Sequence, residues 1–338
     1  MGPRRTPLQR FNVLQGAELN ELEASSTDWL TPCTVRTSNR HTTASPKATV
    51  SAVALGPVKL VYAQTVGAEI AVAYAQRESN YVVNFALDGV NRVSVGEDRE
   101  ICSPERAAIL SPQMVAGMHL SDGYSQLHVR IERFALERHL ERMLGTAVVK
   151  PIRFQMGMDL SHPALASWAR GLRGLIDDLD EPSGLSGIRA ETHPWSDFLM
   201  TGLLLAQPHN YADQLIKGQS SGFRPRSLTR AVELIEREPE SDLSLSRLAS
   251  VAGVGPRALQ RYFREHLGTS PREYVEYVRL SRAHDDLVAG IGTSVAEIAF
   301  RWGFTHIPRF AGAYHARYGM LPSEALRRAV HLVHDQAV

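Results

Sequence analysis

Cysteine is nearly absent from this chain: Cys33 and Cys102 are the only two in 338 residues, and they form no metal-ligand or redox spacing. So few thiols exclude a disulfide scaffold and a cysteine-rich zinc module, and they fit a reducing compartment. Long apolar runs are missing too. No stretch approaches the roughly 20 apolar residues that cross a bilayer. The basic start MGPRR has no apolar core behind it, so no secretory leader is expected. Neither a membrane partner nor an extracellular life follows, and the expected location is cytoplasmic.

Catalytic signatures are also lacking. There is no phosphate-binding glycine loop, nucleophile elbow or paired-carboxylate motif. A metal site on a strand pair needs close histidines and a carboxylate, but the segment from Gly89 to Glu100 has Asn, Arg, Ser, Glu and Asp without histidine. His119 and His128 stand apart with no partner motif, and Ser121, Asp122 and Ser125 read as turn chemistry. The expectation is no enzyme, no metal and no cofactor. Charge is balanced as well, at +1 for the whole chain. It is not evenly spread: residues 222–330 contain sixteen arginines, no lysine and twelve acids, a net of +4.

What is present is a duplication. Segments Ser244 to Glu273 and Ser294 to Glu324 superpose as sequence: Ser244 meets Ser294, Leu248 meets Ile298, Ala249 meets Ala299 and Gly253 meets Gly303. One extra residue in the second turn shifts the register. After it, Leu259 meets Phe310, Phe263 meets Tyr314, Gly268 meets Gly319 and Pro271 meets Pro322. Each copy reads as helix, tight turn, helix. Ser244 can cap the first, and Ser294 with Glu297 forms a capping-box pattern in the second. Gly253 and Gly303 stand where a chain leaves a helix through a left-handed conformation, and Pro256 suits the first position of a new helix.

At 100° per residue the helix from Pro256 places Leu259, Tyr262 and Phe263 on one side. Arg257, Gln260, Arg261 and Arg264 occupy the other. Three arginines on a helix usually mean a solvated face. Inside a duplicated helix-turn-helix they mean a major-groove reader, because arginine bonds guanine edges and glutamine adenine edges in pairs of hydrogen bonds. The second copy is poorer, with Arg309, Gly312, Ala313 and Ala316 opposite Phe310, Tyr314 and Tyr318. We therefore expect Arg309, His306 and Arg317 to hold phosphates and fix register.

Residues 222–330 resemble the DNA-binding domain of the AraC/XylS family of bacterial transcription regulators. The stretches that carry the likeness are LSRLASVAGVGPRALQRYFREHLGTSPREYV and SVAEIAFRWGFTHIPRFAGAYHARYGMLPSEAL, with YVEYVRLSRAHDDL between them matching the family's linker helix. The resemblance implies that Arg257, Gln260 and Arg261 contact bases. Gly312 departs from it, since many members carry a basic residue there. Independently of any family, a helix from Arg272 to about Leu287 would be roughly 24 Å long. With Val275, Val278 and Leu287 buried against both modules, it would hold two reading helices about one DNA turn apart.

Upstream, the period falls to two. Ile70, Val72 and Tyr74 alternate with small residues, as do Tyr81, Val83, Phe85 and Leu87; Asp88-Gly89 is a turn signal before Val93 and Val95. Leu127, Val129 and Ile131 alternate with Gln126, His128 and Arg130. Short strands at this spacing predict a small antiparallel sandwich or barrel. Helical stripes follow from Leu136 to Leu144, Leu165 to Leu179 and Trp195 to Leu205. Residues 1 to about 50, rich in Thr, Ser, Arg and Pro, are expected to be partly loose.

YVVNFALDGVNRVSVGEDRE and LLLAQPHNYADQLIKG resemble, more loosely, the cupin-like sensing domain of one branch of the same family. That likeness implies a sensor for a small organic effector that also dimerises. The resulting expectation is an α+β, cupin-like β-barrel with helices over 1–216, a linker at 217–226, and an all-α domain at 227–330 made of two helix-turn-helix modules joined by a linker helix. Function is expected to be activation of transcription from tandem half-sites in double-stranded DNA. The partners would be RNA polymerase, a second copy of the chain, and an aromatic or acidic effector with unknown pocket residues. Tyr74, Tyr81 and Phe85 are candidates for an effector pocket or for a filled core, and Arg92 and Arg130 for a carboxylate pair or surface charge. An architectural DNA-binding protein without a ligand is the alternative; an enzyme fused to a DNA reader ranks below it.

Overall fold

A computed structural model describes residues 6–25, 29–38, 45–74, 79–184, 194–220, 225–292 and 294–327, with the backbone alone at 24–25 and 217–220. The MGPRR start, the middle of the 217–226 linker and the end of the 227–330 domain lie outside the described residues. The chain divides into two units, one of residues 1–143 and 151–216, the other of residues 144–150 and 217–338.

The first unit is built on two antiparallel sheets. The larger has the order β1 (Asn12–Glu18), β3 (Lys47–Leu55), β4 (Val58–Val66), β11 (Ser125–Ile131), β6 (Tyr81–Asp88), β9 (Arg106–Leu110) and β12 (Gly157–Asp159). The smaller runs β2 (Cys33–Thr37), β5 (Ile70–Tyr74), β10 (Ala116–Leu120), β7 (Asn91–Val95) and β8 (Asp98–Cys102). The expected barrel is not closed. Each sheet ends on its own edge strands, and the chain passes from one sheet to the other at the β8–β9 turn, where Ser103 and Arg106 form an isolated bridge. The alternation read from the sequence appears as two packed faces: Ile70, Val82, Val93, Met118 and Leu120 fill the space between the sheets.

Part of the expected loose segment is ordered. β1 pairs with β3, β2 pairs with β5, and the helix α1 (Leu19–Ser25) contributes Leu22 to a cluster with Val50, Ala52 and Val61. On the large sheet's other face lie α3 (Pro163–Asp180) and α4 (Pro194–Ala206). Trp168 of α3 lies 5.6 Å from the Phe85 ring and donates its indole N–H to the Leu199 carbonyl of α4. α2 (Arg133–Leu144) follows β11, its His139 ring meeting Thr201 of α4 at 2.6 Å.

The second unit is helical: α6 (Arg226–Arg237), α7 (Leu245–Ala252), α8 (Pro256–Leu267), α9 (Pro271–Val288), α10 (Val295–Arg301) and α11 (Ile307–Tyr318). Before it, α5 covers Ala212–Ser220, so the start of the linker segment is helical. Leu228, Ile235, Leu248, Leu259, Phe263, Tyr274 and Val278 form one core around the first helix-turn-helix. Residues 144–150 belong to this unit. Ala147 and Val149 pack on that core, and the Ala147 amide donates to the Tyr274 hydroxyl at 2.8 Å, which donates to Glu236 Oε1 at 2.7 Å. Tyr274→Phe removes the acceptor of a part-buried amide and should cost about 1–3 kcal/mol in denaturant unfolding. An unchanged midpoint would show that the hydroxyl bridge contributes nothing.

Candidate nucleic-acid interface

The first module forms as its caps dictate. Ser244 Oγ accepts the Arg247 amide at 3.4 Å to open α7. Gly253 closes it at φ +68°, a left-handed conformation that costs glycine little, and the Val254 amide reaches back to the Ala249 carbonyl at 3.1 Å. Pro256 then starts α8. Leu259, Phe263 and Leu267 are buried, Tyr262 packs partly on the same core, and Arg257, Gln260, Arg261 and Arg264 are exposed on the opposite side. Arg261 Nε lies 3.7 Å from Glu265 Oε1, an exposed pair that stabilises little and is readily exchanged for a nucleic-acid acceptor.

The second module repeats the plan with one residue more in the turn. Ser294 Oγ accepts the Glu297 amide at 3.2 Å, and the Glu297 carboxylate also takes Arg301 Nη2 at 2.9 Å. Gly303 has φ +76° and the Phe304 amide donates to Ala299 at 2.9 Å. His306 caps α11: its Nδ1 accepts the Arg309 amide at 3.2 Å, which leaves the ring proton on Nε2 as a donor beside a helix N-terminus, a position suited to phosphate. Arg309 is exposed on the first turn. Gly312 is exposed, and a Cβ built there meets nothing within 4 Å, so packing does not impose the small residue.

Arg317, the third expected phosphate contact, stacks on aromatic rings. Its guanidinium carbon stands 3.5 Å from the Tyr277 ring centroid on α9 and 5.2 Å from that of Tyr318, and the side chain is half-buried. It ties α11 to the linker helix by a cation–π stack.

Three hydrogen-bonding residues of α9, Arg279, His284 and Asp286, tie it to the elements around it, and sequence reading missed their roles. Arg279 of α9 donates from Nε to the Pro239 carbonyl at 2.7 Å, from Nη2 to Ser241 at 2.8 Å and from Nη1 to Gly303 at 3.2 Å. One guanidinium thus joins the loop entering the first module to the turn of the second. Asp286 Oδ2 accepts from Arg301 Nη1 and Trp302 Nε1, both at 2.8 Å. His284 Nδ1 meets the Tyr314 hydroxyl at 2.8 Å, and its ring stacks on Tyr318 with centroids 4.0 Å apart. Ser270 and Glu273 form a complete capping box at the head of α9, which the Ser-x-x-Glu spacing could have revealed.

Gln260 of α8 and His306 and Arg309 of α11 line one cleft of about 570 Å³, whose walls include Arg279, Val275 and Leu248. Candidate DNA-contacting residues of both modules therefore border one cleft. Tyr74, Tyr81 and Phe85, by contrast, have different neighbours. Tyr74 packs between the sheets; Tyr81 donates its hydroxyl to the Ile152 carbonyl at 3.0 Å; Phe85 lies against Trp168. Arg92 is exposed and Arg130 buried.

Comparison with known proteins agrees with both units. A helix-turn-helix domain model matches residues 248–328, and an AraC-binding-like domain model matches residues 17–205. The chain is 32% identical over 283 residues to the "Probable thc operon regulatory protein" of Rhodococcus erythropolis, covering 82% of this chain and 84% of the relative. It is 38% identical over 229 residues to a XylDLEGF operon transcriptional activator of Pseudomonas putida, covering 67% and 68%. Among solved structures, a probable AraC family transcriptional regulator from Rhodopseudomonas palustris is 31% identical over 30% of this chain and 96% of its own, with a TM-score of 0.30. No helix among the described residues is long and apolar enough to cross a membrane.

Proposed function

This chain belongs to the AraC/XylS family of DNA-binding transcription regulators, and from that premise we propose that it is an activator that reads tandem half-sites in double-stranded DNA under control of a small organic effector. The observation that supports the reading is the common cleft, lined by Gln260 of α8 and by His306 and Arg309 of α11. Arg257, Gln260, Arg261 and Arg264 discriminate bases, whereas Arg309 and His306 hold phosphates. Arg317 acts through Tyr277, as a strut. The activator role follows that of the P. putida relative. A cytoplasmic homodimer engaging RNA polymerase completes the proposal.

Control is by population shift. Effector binding to the N-terminal unit favours those arrangements of sensor and reader in which both modules engage DNA. Neither a catalytic step nor a cofactor enters this scheme.

The test is selection of bound duplexes from a random pool by the full chain at near-physiological salt, since charge alone gives nonspecific affinity at low salt. We expect a motif of two blocks separated by about one helical turn, roughly 34 Å. A pool that stays random with and without metabolite extract would leave the alternative, an architectural binder.

A further inference from the structure

The interior of the N-terminal sandwich holds polar groups that a sealed core does not leave alone. On β11, Gln126, His128 and Arg130 project from one face of the strand, as its period of two requires, and are 8%, 3% and 7% exposed. Gln126 Oε1, both ring nitrogens of His128 and Thr65 Oγ1 of β4 have no hydrogen-bond partner among the described residues. Asn84, directly across the ladder from His128, has both its amide nitrogen and its oxygen unpaired among them. Buried groups of this kind ordinarily find a protein, water or ligand partner, and a cluster of them marks a place where one belongs.

Thr65, Gln126 and His128 border a void. A cavity of about 50 Å³ is lined on its polar side by Thr31, Thr65, Gln126 and His128 and on its apolar side by residues that include Ile70 and Met118. No acidic residue lines it among the described residues. Arg130 donates Nη2 to Thr31 Oγ1 at 3.1 Å, which sets a positive charge beside the lining. Burial, with Arg130 adding to it, pushes the His128 imidazole down to about 3, so the ring is neutral and offers one N–H donor and one lone pair. The cavity thus combines donors near a cation with the acceptor of Gln126, and its size is that of roughly three to five water molecules at the roughly 10–15 Å³ that one water needs.

We propose that this cavity is the effector site and that its ligand is a small 2-hydroxy acid. The carboxylate accepts from the Thr65 hydroxyl and the His128 N–H in the field of Arg130, the hydroxyl donates to Gln126 Oε1, and the carbon chain lies on Ile70 and Met118. The inference rests on the reading of the N-terminal unit as an effector sensor. It assigns that sensor a place and a ligand chemistry.

The probes are lactate, propionate and lactamide, titrated into the full chain by calorimetry, with the His128 imidazole resonances followed by NMR. Lactate should bind and shift those resonances. Propionate, which lacks the hydroxyl, and lactamide, which lacks the charge, should each bind roughly tenfold more weakly. Thr65→Val keeps the shape of the side chain and should lower lactate affinity about tenfold with the fold intact by circular dichroism. Gln126→Met should erase the preference for lactate over propionate. Equal affinities for the three probes, no binding of any, or indifference to Thr65→Val would each overturn the assignment. Running the DNA selection on the same preparation separates the two proposals: a recovered DNA motif with no lactate binding removes this site and leaves the regulator.

Discussion

Arg279→Met is expected to uncouple the two helix-turn-helix modules while leaving each one folded. Methionine keeps an unbranched stem in the same space but cannot donate to the Pro239, Ser241 and Gly303 carbonyls that the guanidinium joins. Each of these bonds has a charged donor, and their combined loss should weaken binding to a tandem site by about 2 kcal/mol, roughly thirtyfold. The distinctive readout is spacing. Wild-type protein should reject a duplex with one base pair inserted between the blocks, because α9 and Arg279 hold the recognition helices at a fixed distance; the variant should bind both duplexes with similar affinity. Lysine should not rescue it, since one ammonium cannot span three carbonyls fixed in different directions. If Arg279→Met weakened a single-block duplex as much as the tandem one, the residue would be supporting one module alone and the clamp would have to be abandoned.

The same arginine explains why Gly303 is constrained twice. Its φ of +76° already disfavours a side chain, and a Cβ at that position would stand 2.8 Å from Arg279 Cζ. Only the first reason is local, so only the first was legible in the sequence. The same division runs through the whole molecule. The helix ends at Ser244, Gly253, Ser294 and Gly303 and the buried side of α8 follow from neighbours within one or two turns, and they were readable at once. Arg279 meets residues 24 to 40 positions away, and Ala147 meets Tyr274 across 127. No periodicity carries such pairings.

The N-terminal half shows the limit from the other side. Period-two alternation marked most of the strands, but alternation does not say which face looks at which sheet. Tyr81 and Phe85 share one face of β6 and Tyr74 belongs to the other layer, so three aromatics that suited either a pocket or a filled core point to different surroundings. Closure was equally beyond reach. A barrel and two open sheets have the same strand pattern along the chain, and the difference lies in whether the edge strands pair. Gln126, His128 and Arg130 were visible as the polar half of an alternating strand, which ordinarily faces water. Their burial comes from the second sheet covering that face, a fact of topology. Arg317 illustrates the same point in the helical unit: its stack on Tyr277 of α9 is a long-range contact that no periodicity announces.

Arg261→Ala is expected to change what the protein reads as well as how tightly it binds. Arg261 is exposed on α8 between Arg257 and Arg264, on the side opposite Leu259 and Phe263, and its only recorded ion pair among the described residues is the loose one with Glu265 at 3.7 Å. Removing it therefore does little to the fold, and stability should move by less than about 0.5 kcal/mol. A long side chain on that face, carrying two parallel donors, matches the O6 and N7 acceptors of guanine. Its loss should cost about 1–3 kcal/mol on the preferred duplex. The loss should be selective: in a repeated selection, one position of one block becomes degenerate while the second block, which the proposed reading sets against α11 and not α8, is unchanged. The salt dependence of binding distinguishes the alternative. A base contact leaves the slope of log affinity against log salt nearly unaltered, whereas a phosphate contact reduces it by about one counterion. A uniform loss on every sequence, accompanied by that shallower slope, would move Arg261 to the phosphate-holding set and leave base readout to Arg257 and Gln260.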